Sequence, residues 1–140
     1  MLVLDANILI RAVLGARVLD LLRKYAVHVE FVAPDTAFEE VRKHLPEVLA
    51  KRNVAIAPAM LAFELVARLV QTLEGEFYLP YESVAKERIG GRDLDDWPVL
   101  ACALALGCPI WTEDNDFFGC GVATWTSDRV ELYLKTLSKP

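Results

Sequence analysis

The 140-residue chain predicts an α/β domain whose parallel sheet is covered by helices on both faces. Three observations carry this. Short apolar runs of strand length alternate along the chain with longer amphipathic or apolar helical stretches. The lengths of these alternating segments suit a parallel sheet covered on both faces. A hydrophobic content of 54% is enough to fill one substantial core, and no polar or Pro/Gly-rich break divides the chain, so residues 1–140 are expected to form a single domain.

Residues 1–5 read as a buried first strand ending in Asp5. Helical stretches follow near Asn7–Leu14 and Arg17–Tyr25, with Gly15 as their junction. Val27–Ala33 is the next expected strand, and Pro34-Asp35-Thr36 opens a helix that Asp35 or Thr36 can cap, with Pro46 leaving its far end open. Pro58 introduces a helix expected over Ala59–Leu73, where Leu61, Leu65, Leu69 and Leu73 align and Glu64 and Arg68 mark the polar side. Its wide apolar coverage suits core packing and leaves room for a contribution to a dimer. Glu76–Leu79 reads as a short strand, and Pro80 starts a short helix that ends by Gly90-Gly91. Val99–Leu106 is too continuously apolar for a helix with a wet face and is expected to pack centrally. Gly107 ends it, the strand Cys108–Thr112 follows, and Gly121–Trp125 gives a last short strand.

Several function classes fall away. The N-terminus reaches a carboxylate at once, so it reads as a strand and not as a secretory leader. The longest apolar run, Trp97–Trp111, carries Pro98 and Pro109 and is too short to span a membrane. A soluble, cytoplasmic protein is expected. Three cysteines, Cys102, Cys108 and Cys120, lie among apolar or Gly neighbours in no ligand spacing, and His28 and His44 belong to a strand and a charged helix face. Zinc chemistry is therefore not indicated. There is no phosphate-binding loop of the Gly-x-x-x-x-Gly-Lys-Ser/Thr kind. The net charge of -5 does not advertise a polyanion binder, although bound cations would invert the potential of an acidic pocket. The clustered cations Arg23-Lys24, Arg42-Lys43, Lys51-Arg52, Lys86, Arg88 and Arg92 read chiefly as solvated helix faces.

What remains is a set of acids. Asp5 follows the first strand and Asp114 follows the strand ending at Thr112, and residues just beyond the carboxyl ends of parallel strands share the usual ligand crevice. Glu40 can enter from the helix after the second strand, and Asp96 from the start of the central apolar helix, with Asp93 a turn earlier. Gathered carboxylates repel and raise one another's pKa unless a cation joins them, and an all-oxygen donor set favours Mg²⁺ or Mn²⁺. Such a site would polarise a phosphodiester and activate water. Asp5, Asp96 and Asp114 are the expected ligands; Glu40 completes the set or orients water, Asp116 supports a second ion, and Asn7, Thr112 and Asp93 are supporting groups.

The order of these pieces resembles the PIN domain family, the PilT N-terminus-like nucleases that include VapC-type toxin ribonucleases. The matching segments are Leu4-Asp5-Ala6-Asn7-Ile8-Leu9-Ile10, Phe38-Glu39-Glu40-Val41, Asp93-Leu94-Asp95-Asp96, the helix Val99–Leu106, and Trp111-Thr112-Glu113-Asp114-Asn115-Asp116-Phe117. The resemblance implies a three-layer α/β/α sandwich and a metal-dependent ribonuclease whose acids match Asp5, Glu40, Asp96 and Asp114, with Asp116 as the less constant downstream acid. It also implies a homodimer and, for a toxin, a small antitoxin partner. The alternative from the same sequence is a catalytically weak PIN-like protein that binds nucleic acid or is governed by a partner.

Overall fold

In a computed structural model that describes residues 1–139, five parallel strands form one sheet in the order β3-β2-β1-β4-β5. The strands are β1 (Leu2–Leu4), β2 (Phe31–Pro34), β3 (Val70–Leu73), β4 (Ile110–Trp111) and β5 (Thr124–Trp125). The helices are α1 (Ala6–Leu14), α2 (Ala16–Tyr25), α3 (Asp35–Lys51), α4 (Ile56–Leu69), α5 (Gly75–Tyr78), α6 (Glu82–Ile89), α7 (Trp97–Leu106) and α8 (Val130–Leu137). The fold is the expected α/β class, a parallel sheet with helices on both faces.

The alternation of side chains along β1 divides the interior. Leu2 and Leu4 join a core with α1 to α4 and α8, where Phe31, Phe38, Phe63 and Trp111 are also buried. Val3 points the other way into a core made with α5, α6 and α7. This is what a period of two dictates in a strand covered on both sides, and it makes the three layers. Every strand-forming residue of β1 and β2 is buried.

Helix α7 fits the central place its composition demands: Pro98 to Ala103 are buried without interruption. Gly107 ends it with φ 62° and ψ 39°, a left-handed conformation that a residue with Cβ adopts at a cost. The chain then returns at once into β4, and so sets β4 beside β1 with Val3 opposite Ile110 and Leu4 opposite Trp111.

Several expectations need correction or completion. The third strand is Val70–Leu73, paired with β2 from Phe31↔Val70 to Pro34↔Leu73, and the expected strand at 76–79 is helix α5 followed by a 3-10 turn. Edge pairing to β2 overrides the leucine periodicity that extended the helix to Leu73. Strand β2 begins at Phe31 and not at Val27, because residues 26–28 form a turn in which Val27 is exposed. The Leu61/Leu65 stripe faces outward at 70% and 46% exposure, while Ala59, Phe63 and Val66 bury the helix. Helix α3 runs straight through Pro46 to Lys51, and α8, which no sequence signal above assigned, closes the first core with Val130 and Leu134.

Proline inside a helix removes one backbone hydrogen bond and crowds the preceding turn. Pro46→Ala is therefore expected to raise stability by about 1 kcal/mol or more, part of the gain being offset by a more flexible unfolded chain. A thermal melt checks this; a fall in melting temperature would mean that Pro46 makes packing contacts worth more than the missing bond.

Candidate metal centre

The strand order reverses at β1, which lies between β2 and β4, and the crevice at such a switch point opens at the carboxyl ends of the strands. Asp5 stands there. It caps α1 by accepting the Ala6 amide on Oδ1 at 2.8 Å. Its Oδ2 accepts the Thr112 hydroxyl at 2.8 Å and the Asn7 side-chain amide at 3.0 Å. The carboxylate is 6% exposed, and burial pushes its pKa up to about 6 against the pull of Thr112 and Ala6, with Asp114 and Glu40 adding repulsion.

Thr112, buried at the end of β4, faces both ways. While donating to Asp5 it accepts the Asp114 amide on Oγ1 at 2.9 Å, and Asp114 Oδ1 in turn accepts the Asp116 amide at 2.9 Å. These bonds shape the turn that brings Asp114 and Asp116 toward Asp96. Oxygen atoms of Asp96, Asp114 and Asp116 lie within 4.8 Å of one another. Asp96 arrives from the other direction, at the end of a 3-10 turn (Leu94–Asp96) and at the N-cap of α7.

Asp96 carries the strongest electrostatic signal. Its Oδ2 is buried with no hydrogen-bond partner, and its pKa is raised to about 8, first by burial and then by the charges of Asp5, Asp114 and Asp93. An unpartnered buried carboxylate oxygen beside like charges is costly in a metal-free protein. A hard divalent cation removes that cost, and oxygen donors at these separations fit Mg²⁺ or Mn²⁺. The residues present therefore fit such an ion.

Of the expected site residues, the structure brings Asp96, Asp114 and Asp116 into one group, and Asp5 lies outside it but close enough to act on Asp96 and be acted on by Asp114. Glu40 is exposed on α3 and shares a cleft of about 340 Å³ with Glu39, His44, Asp93 and Asp96. It stands at the rim, close enough for its charge to act on Asp5. Asp93 is also exposed, and its Oδ1 accepts the Asp95 amide at 3.0 Å, so it shapes the turn that presents Asp96. Asn7 and Thr112 hold Asp5. His44, read from the sequence as an ordinary surface residue, lines the same cleft.

Sequence reasoning missed a second bracing layer. Asn7 Oδ1 accepts the Glu113 amide at 3.3 Å, Glu113 Oε1 accepts the Ser127 amide at 2.7 Å, and Ser127 Oγ accepts Trp111 Nε1 at 3.0 Å. Glu113 thus ties the Asp114 turn to the segment after β5. The only signal for it was position, between the strand-ending Thr112 and Asp114. Arg88 and Arg92 brace the far side by donating to main-chain carbonyls, Arg88 to Cys120 at 3.2 Å and Arg92 to Asp116 at 2.5 Å. Gly121, at φ 80°, makes room for Arg88, whose Nη1 would lie 2.8 Å from an added Cβ. The three cysteines are buried and free, as expected, and none belongs to the acidic group.

Asp5 and Asp96 are acids whose folded-state pKa values exceed the unfolded value of about 3.9. Between those values the folded metal-free protein binds more protons than the unfolded chain, so stability falls with rising pH. It is greatest below about pH 4 and is lost as pH climbs through about 6 for Asp5 and about 8 for Asp96. The Asp5 shift alone corresponds to about 3 kcal/mol. Metal-free melts across this range should show the decline, and Asp96→Asn should raise the melting temperature at pH 8.5 while changing little at pH 4.5. A flat pH response shared by both proteins would refute the electrostatic account.

Comparison with known proteins agrees with this architecture. The PIN domain family model matches residues 3–135. A solved structure described as FitAB bound to an IR36 DNA fragment is similar in fold, with a TM-score of 0.53 and 21% sequence identity over 91% of this chain and 95% of that one. No curated protein matches.

Proposed function

The chain belongs to the PIN domain family, and from that premise we propose that it is a Mg²⁺- or Mn²⁺-dependent endoribonuclease that hydrolyses RNA phosphodiester bonds. The observation that carries this reading is the acidic group at the sheet's switch point, with Asp96 Oδ2 buried and unpartnered in the middle of it.

In this reading Asp5, Asp96, Asp114 and Asp116 hold the metal, with Glu40 completing the set from the rim. The ion would lower the pKa of bound water and offset charge on the phosphoryl oxygens. The protein's own part is positional. Thr112 and Asn7 fix the Asp5 carboxylate in one orientation, and the Thr112–Asp114–Asp116 hydrogen bonds fix the facing acids. Where Glu40 does not itself complete the set, its exposed carboxylate is placed to orient an attacking water.

The proposed biological setting is the toxin of a toxin–antitoxin pair, acting in the cytoplasm as a homodimer and held in check by a small partner protein. The outward apolar face of α4, formed by Leu61 and Leu65, is the surface proposed for dimerisation, since exposed apolar side chains on one helix face suit an interface. No helix among the described residues is long and apolar enough to cross a membrane.

Two experiments test these statements. Purified protein incubated with single-stranded and structured RNA is expected to cleave in Mg²⁺ or Mn²⁺ and not after chelation. Asp96→Asn and Asp114→Asn should each reduce cleavage by about a hundredfold or more, as loss of a principal electrostatic group does. Cleavage that persists equally in both variants without metal would overturn the reading, and DNA tested in parallel decides the substrate class. For the assembly, Leu61→Glu/Leu65→Glu should convert a dimer into a monomer by light scattering, with the melting temperature of the subunit largely kept; an unchanged mass would place the interface elsewhere.

A further inference from the structure

Asn7, which holds Asp5, also lines a larger groove of about 640 Å³. Its walls bring together three arginines from different elements: Arg11 near the end of α1, Arg17 in the first turn of α2 and Arg52 just after α3. All three are exposed. Among the described residues none of them makes a side-chain ion pair within 4.0 Å, whereas Lys24, Lys51, Lys86 and Arg129 are each paired with a carboxylate. The two acids on the groove wall are already engaged: Glu113 accepts the Ser127 amide, and Asp128 accepts the Thr126 hydroxyl and lies 3.9 Å from Arg129. The groove is thus open and carries three arginines against two acids, with the Arg17 charge acting on Asp128, in a chain of net charge -5.

Its position gives the charge a purpose. Asn7 and Glu113 belong both to the groove wall and to the bracing of the acidic site, so the groove adjoins the residues that hold Asp5 and the Asp114 turn. The cleft beside Glu39 and Glu40 carries five acids against Lys43 and His44, and is the less favourable of the two for a polyanion. No aromatic side chain lines the groove, so it offers nothing for base stacking and suits contact with a backbone. We propose that this groove holds the phosphodiester backbone of a nucleic-acid strand on one side of the cleavage point, with Arg11, Arg17 and Arg52 contacting successive phosphates. The inference rests on the nuclease reading for its placement of the cleavage point, and on the groove alone for its binding chemistry.

The test is binding of a labelled single-stranded RNA of mixed sequence to the full chain in chelator, followed by fluorescence anisotropy across a range of salt concentrations. Replacing the three arginines together by Gln should weaken binding about tenfold or more and reduce the slope of log affinity against log salt by about 2. Single-stranded DNA of the same sequence should lose affinity in parallel, because phosphates carry the contact. Arg23→Gln, an exposed change on α2 away from the groove, should leave both quantities unchanged. If the triple variant fails to fold, Arg17→Gln and Arg52→Gln singly should each lower the slope by about 0.7. Equal affinity and slope in variant and parent overturn the proposal, as does tighter binding of a glutamate-rich peptide of equal charge, which would mark a protein-docking surface. The two readings fail separately. Groove-dependent RNA binding without cleavage in any metal sinks the nuclease and supports the groove, while metal-dependent cleavage with an unchanged KM in the triple variant sinks the groove alone.

Discussion

A carboxylate withdrawn almost wholly from water at the end of the central strand is the constraint around which this molecule is arranged. Asp5 would be costly to bury alone, and three donors meet it: the Ala6 amide, the Asn7 side chain and the Thr112 hydroxyl. Two of these belong to the start of α1. The third comes from a residue 107 positions later in the chain, so the bond that satisfies Asp5 also fixes β4 beside β1 and sets the level at which the following turn begins. Thr112 then orders that turn through the Asp114 amide. Burial of one acid and placement of the others are the same event.

The donors lower the pKa of Asp5 but do not cancel the burial, and nothing of the kind reaches Asp96 Oδ2. The fold therefore leaves a specific electrostatic deficit where Asp5, Asp96 and Asp114 face one another. Packing compensates elsewhere: both cores are closed by aromatic and aliphatic side chains around the sheet, with Phe63, Phe117 and Trp111 fully buried. A rigid scaffold supporting a repulsive cluster is the usual compromise at a site built for a cation, where stability without the ligand is surrendered for readiness to bind it.

Much of this was legible in the sequence because it depends on local signals. An apolar run that stops at an acid marks a strand end, which located Asp5, and the Ile-Trp-Thr-x-Asp run located Asp114. Six consecutive buried residues in α7 left their mark as an apolar stretch without a wet face. The failures also have local causes. Leu73 continues an i, i+4 leucine series, so Val70–Leu73 looked helical, but pairing to β2 decided otherwise. Phe77 and Leu79 have strand-like character and yet lie in a helix and a 3-10 turn, with exposures of 60% and 50%. The Glu113–Ser127 brace and the arginine groove join residues far apart in sequence, and no short pattern announces either. Asp96 was preferred over Asp93 and Asp95 by family resemblance; in the structure it is the one of the three that is partly buried against Asp5 and Asp114.

The placement of β1 has a temporal consequence. It precedes the other strands in sequence and lies in the middle of the sheet, while Thr112, just past its neighbour β4, follows Asp5 by 107 positions. Such non-local pairing delays completion of a fold, because loop closure must be accomplished before the contacts stabilise it. Until β4 docks, Asp5 lacks Thr112 and stands apart from Asp114 and Asp116. The acidic cluster therefore comes into being only with the pairing that completes the sheet around β1.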